Sequence, residues 1–272
     1  MLPSLSQALD AGLRNRPDDW DDKALHISDL GTAIGEGCPR ALWLRLNGAK
    51  KKEATTGKLL MFHHGQRIHE DLVELITPHL PDEWHIIKVE QPVEVYGLTG
   101  RYDYQMIHKD GTKVIVDFKS IRGRAFNYLD GPKPAHVIQV QGYMAAEDAD
   151  HGIIWYVDRE GQNASQQFVV ERDDDRVEIA AMRLGYGARH KNPPLILDPV
   201  LEIKENKGPD SVKVKQPWQC DYCDYLDVSC PGALPKEMRE RGIVGKLGMC
   251  GDYMPTKGNE DMVNLVKELR RD

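Results

Sequence analysis

The sequence predicts an α/β fold, a mixed sheet flanked by helices, from three observations. Residues 100–119 alternate apolar and polar positions on either side of Asp110-Gly111, as a β-hairpin does. Residues 57–80 and 134–149 carry apolar groups at helical spacing on either side of that hairpin in the chain. The resulting order of helix, three strands, helix and one or two further strands builds a mixed sheet with helices packed on it.

Residues 1–27 are acidic and irregular, with the run Asp18-Asp19-Trp20-Asp21-Asp22, and suit at most one short helix in an N-terminal extension. Ser28 is placed to cap a helix starting at Asp29, and the chain breaks at Gly35-Glu36-Gly37-Cys38-Pro39. Pro39 opens the next helix, through Leu46, which leaves Cys38 between helices.

The long helix from Gly57 to about Leu80 repeats Met61, Ile68, Leu72, Leu75 and Ile76, and Pro78 should end or kink it. His69 falls at the edge of its apolar side, a position that suits a core histidine as well as a ligand. His85 to Val95 alternates as a strand and leads through Gly97 into the hairpin.

Asp103 lies on the first hairpin strand and Asp117 on the second, after the apolar run Val114-Ile115-Val116. Asp117 and Lys119 share one face of their strand, and Phe118 takes the other. Carboxylates held on an otherwise apolar strand need pairing or a hard divalent cation, and a lysine beside them can hold a water or a phosphate charge. The same residues would also suit a surface hairpin with a salt bridge.

A turn region with Arg122, Arg124 and Lys133 precedes the helix from Pro134 to about Ala149, on which Gln139 and Tyr143 are four apart and share a face. Strands follow at Gly152–Val157 and Gln166–Val170, then a helix from Asp173 to about His190. Residues 192–217, with five prolines, read as an extended connection.

Cys220, Cys223 and Cys230 put three thiols within eleven positions, and Cys38, also just before a proline, is the natural fourth ligand. Four thiolates suit zinc or an iron-sulfur cluster. Such a metal would staple the start of the fold to a segment far along the chain; Cys250 is left over as a free thiol.

The net charge of −7 does not advertise a nucleic-acid binder, so affinity for a phosphate backbone would have to come from local basic clusters or bound cations. A 40% hydrophobic and 29% charged composition is ordinary for a globular protein and argues against disordered and fibrous classes. With no apolar run of spanning length and no signal-like N-terminus, a cytoplasmic protein away from membranes is expected.

Taken together, Gly-x-x-x-His at 65–69, Gly-Arg-Tyr-Asp at 100–103, Asp-Phe-Lys at 117–119, Gln-x-x-x-Tyr at 139–143 and one-plus-three cysteines resemble the RecB-like branch of the PD-(D/E)XK nucleases. The likeness is greatest to the iron-sulfur exonucleases found in phages and beside CRISPR loci. It implies a restriction-endonuclease-like domain over 28–235, including a cysteine segment at 218–231, with 1–27 and 236–272 as appendages.

The resemblance also implies His69, Asp103, Asp117 and the Phe118 carbonyl as ligands of Mg²⁺ or Mn²⁺, and Lys119, Asp117 and Asp103 as the catalytic set. Cys38, Cys220, Cys223 and Cys230 would hold a [4Fe-4S] cluster, favoured over zinc. Gln139, Tyr143, Arg122 and Arg124 would meet DNA, and Glu90 is a further candidate acid. The expected activity is exonucleolytic cleavage of DNA ends, single-stranded or resected, in recombination, repair or processing, inside the host cell if phage-encoded. The competing expectation is a non-cleaving subunit of a recombination or CRISPR-adaptation complex.

Overall fold

The computed structural model describes residues 4–16, 21–161, 165–198, 200–203, 211–234, 236 and 244–246. The chain divides into two compact units, one of residues 1–49 and 53–194, the other of 50–52 and 195–272.

The first unit holds a five-stranded sheet in the order β1 (Trp84–Val95), β2 (Leu98–His108), β3 (Lys113–Ile121), β4 (His151–Asp158) and β5 (Ser165–Glu171). All neighbours are antiparallel except β3 and β4, which are parallel and joined through a helical crossover, so the sheet is mixed. Gly111, at φ 96°, makes the tight turn between β2 and β3 in a conformation open to glycine.

Helices α1 (Leu5–Arg14), α2 (Leu30–Ala33), α3 (Pro39–Leu46) and α4 (Thr56–Ile76) precede the sheet; α5 (Gly123–Phe126) and α6 (Pro134–Glu147) fill the crossover, and α7 (Asp174–Ala188) follows β5. Thr55 caps α4 by accepting from the Lys58 N–H at 3.2 Å. The Ser28 cap expected from sequence is not how the earlier segment starts. A 3₁₀ turn runs Ile27–Asp29, and the Asp29 carboxylate accepts the His26 N–H at 2.8 Å, because Asp29 reaches back to the backbone that Ser28 would have served.

The sheet is covered on both faces. Ile115, Ile154 and Tyr102 pack with Ile138 and Met144 of α6 and Val177 of α7 in one core. Tyr104, Val116 and Phe118 pack against Leu72, Val73 and Ile76 of α4 in the other. Gly152 permits the closeness of α6, since a Cβ there would meet Val140 Cγ1 at 2.3 Å and Met144 Sδ at 2.8 Å.

The second unit corrects the expectation of a bare connection over 192–217. It contains a three-stranded antiparallel sheet of β6 (Val200–Ile203), β7 (Ser211–Lys215) and β8 (Val244–Lys246), because the prolines fall between the strands and leave the β-branched runs free to pair. A short helix, α8 (Trp218–Asp221), opens the cysteine segment. The sequence also suits a helix from Glu260 to Arg271 in the tail; that stretch and the thiol of Cys250 lie outside the described residues.

Candidate active site

The site forms where β2 and β3 part. Their ladder ends at the pair Tyr104 and Val116, and the Asp103 carboxylate then accepts the Phe118 N–H that the ladder would otherwise have used. Asp103 thus sits between strands instead of on one face. The side chains around it record the change: Tyr102 packs against Tyr143 of α6, whereas Tyr104, of the same parity, packs against Phe118 on the α4 face.

That gap draws in groups from both faces. From α4, His69 Nδ1 lies 3.0 Å from Asp103 Oδ1, and the imidazole ring stacks near Phe118 with centroids 5.5 Å apart. From β3, Asp117 is 3% exposed, and its Oδ2 lies 2.7 Å from Lys119 Nζ. The Lys119 ammonium is thus the ion-pair partner of this buried oxygen.

Lys119 is steadied from α6: its ammonium donates to Gln139 Oε1 at 3.2 Å, and Gln139 Nε2 donates to the Tyr143 hydroxyl at 2.9 Å. Tyr143 is 3% exposed, so it braces the glutamine from inside the core. Arg122 and Arg124 stand exposed at the start of α5, a few residues beyond Lys119.

Glu90, across from Asp103 on β1, completes the acidic side. Ligand atoms of His69, Glu90 and Asp103 all fall within 4.8 Å of one another, and among the described histidines, cysteines, aspartates and glutamates no other group of three does so. Sequence reasoning noted Glu90 but missed His136. That side chain sits one turn before Gln139 on α6, where its Nδ1 meets the Tyr156 hydroxyl at 2.7 Å and the charge of Lys119 acts on it.

Electrostatics follow the crowding. Burial pushes the Asp117 carboxyl up to about 6, helped by Asp103 and opposed by Lys119. Glu90 is raised by desolvation and then by Asp103. For His69, burial works against the charged form, but the Asp103 contact and charge outweigh it and the net shift is upward. His136 is pushed down to about 3, by burial first and then by Lys119 and Lys133.

A hard divalent cation suits this donor set. Neighbouring ligands on one octahedral ion with bonds of about 2.1 Å stand about 3.0 Å apart, the separation His69 and Asp103 already have, and Asp117 offers a buried carboxylate beside the Lys119 ammonium.

In the second unit, Cys220 lies in α8, and Cys223 and Cys230 follow in the turns after it. The Cys223 N–H donates to the Cys220 carbonyl at 3.1 Å, and the Cys230 N–H to the Tyr225 carbonyl at 2.9 Å. Cys38 stands at the N-terminus of α3 in the first unit. These four described cysteines are in thiol form.

Residues 28–231 match the family model described as the PD-(D/E)XK nuclease superfamily. Among solved structures the chain is similar to SSO0001, with 18% identity, 85% of this chain and 95% of that one covered, and a TM-score of 0.48. It is similar as well to the alkaline exonuclease LHK-Exo from Laribacter hongkongensis, with 13% identity, 66% and 90% covered and a TM-score of 0.43. A phage-related exonuclease from Haemophilus somnus 129PT gives 19% identity, 61% and 92% covered and a TM-score of 0.44. No curated protein matches the chain.

Proposed function

The chain belongs to the PD-(D/E)XK nuclease superfamily, and from that premise we propose that it is a Mg²⁺- or Mn²⁺-dependent deoxyribonuclease that hydrolyses phosphodiester bonds from DNA ends. The observation that carries the proposal is the meeting of the His69–Asp103 pair with the buried Asp117–Lys119 pair at the mouth between β2 and β3.

His69, Asp103, Asp117 and the Phe118 carbonyl would hold the cation. When bound, it lowers the pKa of a water and neutralises charge on the phosphate. Lys119 then holds the attacking water or a phosphate oxygen at its ammonium, aimed by Gln139, while Tyr143 fixes the amide of Gln139. Arg122 and Arg124, exposed beyond β3, supply positive charge for the strand's phosphates in a protein whose net charge is −7.

Cys38, Cys220, Cys223 and Cys230 are assigned to a [4Fe-4S] cluster, with zinc as the alternative; four thiols are the donor chemistry either one takes. Brown colour and stoichiometric iron in anaerobically purified protein support the cluster, and colourless protein containing zinc supports the alternative. The cellular role assigned is recombination, repair or processing of DNA in the cytoplasm. Among the described residues no helix is long and apolar enough to cross a membrane.

A non-cleaving DNA-binding subunit serving a recombination or CRISPR-adaptation partner has less support, because it would have no use for a buried acid held against a lysine. Digestion of end-labelled linear DNA beside a covalently closed circle tests the proposal. Loss of the linear form alone, with Mg²⁺ and not with chelator, supports an exonuclease; digestion unaffected by chelator contradicts it.

A further inference from the structure

Resting on the cation-dependent reading of this site, we infer that Glu90 is a ligand of the divalent cation, joining His69 and Asp103 from the β1 side of the gap. Three observations meet on this residue. The first is distance: atoms of His69, Glu90 and Asp103 lie within 4.8 Å of one another. Donors on one ion with bonds of about 2.1 Å stand about 3 to 4.2 Å apart, so small side-chain movements bring all three onto one cation.

The second is the backbone. The register pairs Val89 with Tyr104 and Gln91 with Tyr102, which sets Glu90 opposite Asp103. Glu90 has φ 48°, in the left-handed region that a glutamate enters only at a cost. An extended Glu90 would keep the regular alternation of β1; the left-handed turn breaks it beside the residue where β2 and β3 part. Strain of this kind persists where the surroundings impose it.

The third is the remaining acid of the site. Asp117 is almost wholly buried, its Oδ2 is ion-paired to the Lys119 ammonium at 2.7 Å, and the charges of Asp103 and His69 also act on its carboxyl. A region that gathers the carboxylates of Glu90, Asp103 and Asp117 around one lysine and one histidine offers the oxygen-rich donor set that a hard divalent cation takes.

The test is a calorimetric titration of Mn²⁺ alone into the full chain as wild type, Glu90→Gln and Glu90→Gly, with melting temperatures taken with and without the ion. Glu90→Gln keeps the size of the side chain. Glu90→Gly removes the ligand and relieves the backbone, since glycine accepts this φ freely. The expected result is Mn²⁺ affinity at least about tenfold weaker in both variants, with the ion-free Glu90→Gly protein melting no lower than wild type. Wild-type Mn²⁺ affinity in either variant overturns the assignment of Glu90 and leaves the nuclease reading standing. Failure of the wild-type chain to bind Mn²⁺ overturns both.

Discussion

His69 Nδ1 stands 3.0 Å from Asp103 Oδ1, although the two residues are 34 positions apart and belong to a helix and a strand. Asp103 also accepts the Phe118 N–H, so it has a structural task beside the cation-binding one proposed for it. Asp103→Asn keeps an oxygen for that N–H and should melt close to wild type, yet lose the stabilisation that Mg²⁺ confers. Asp103→Ala leaves the N–H without its acceptor and should lose a further ~1–3 kcal/mol. Thermal unfolding of both variants with and without Mg²⁺ separates the two tasks.

The Asp117–Lys119 pair makes stability depend on pH. Burial holds the Asp117 carboxyl at about 6, above its ordinary 3.8, so the folded state takes up its proton more readily than the unfolded chain. The unfolded state therefore binds fewer protons between about pH 4 and 6, and this group's contribution to stability falls as pH rises through that window. Lys119→Met removes the cation that opposes the shift and should steepen the fall between pH 5 and pH 8. Asp117→Asn should remove it, and urea midpoints at the two values measure the difference.

His136 works in the opposite sense. Its folded value of about 3 lies below the ordinary 6.5, so the unfolded chain binds the proton first and stability falls as pH drops from about 6.5 towards 3. His136→Gln can still meet the Tyr156 hydroxyl but does not titrate, and it should flatten the acid limb of the stability profile. Unfolding measured at half-unit steps from pH 7 to 4 checks this.

Periodicity carried much of the fold in the sequence. The hairpin around Gly111, α4, α6 and the last two strands of the main sheet lie close to where alternation and helical spacing put them, because each has one buried side that writes its period into the chain. The site was less legible. Strand alternation puts Tyr102 and Tyr104 on one face, yet the chain turns over between them, and the parting of β2 from β3 at Asp103 is a tertiary event with no local signature.

Glu90 could be named from the sequence as a further candidate acid, but nothing in the sequence showed its positive φ. His136 belongs to no spaced motif, and its place beside Lys119 depends on how α6 lies over the sheet. The small sheet of the second unit was hidden by the prolines around it, which dominate a reading of composition.

The most direct test of the central claim is cleavage of linear DNA by Asp117→Ala and Lys119→Ala in saturating Mg²⁺, each variant first shown to be folded by its circular dichroism and its cooperative melting. The account expects loss of at least about 10²-fold in rate for each, since one removes a carboxylate proposed to hold the cation and the other the ammonium proposed to meet the water or phosphate. Cleavage at the wild-type rate by either folded variant would contradict it.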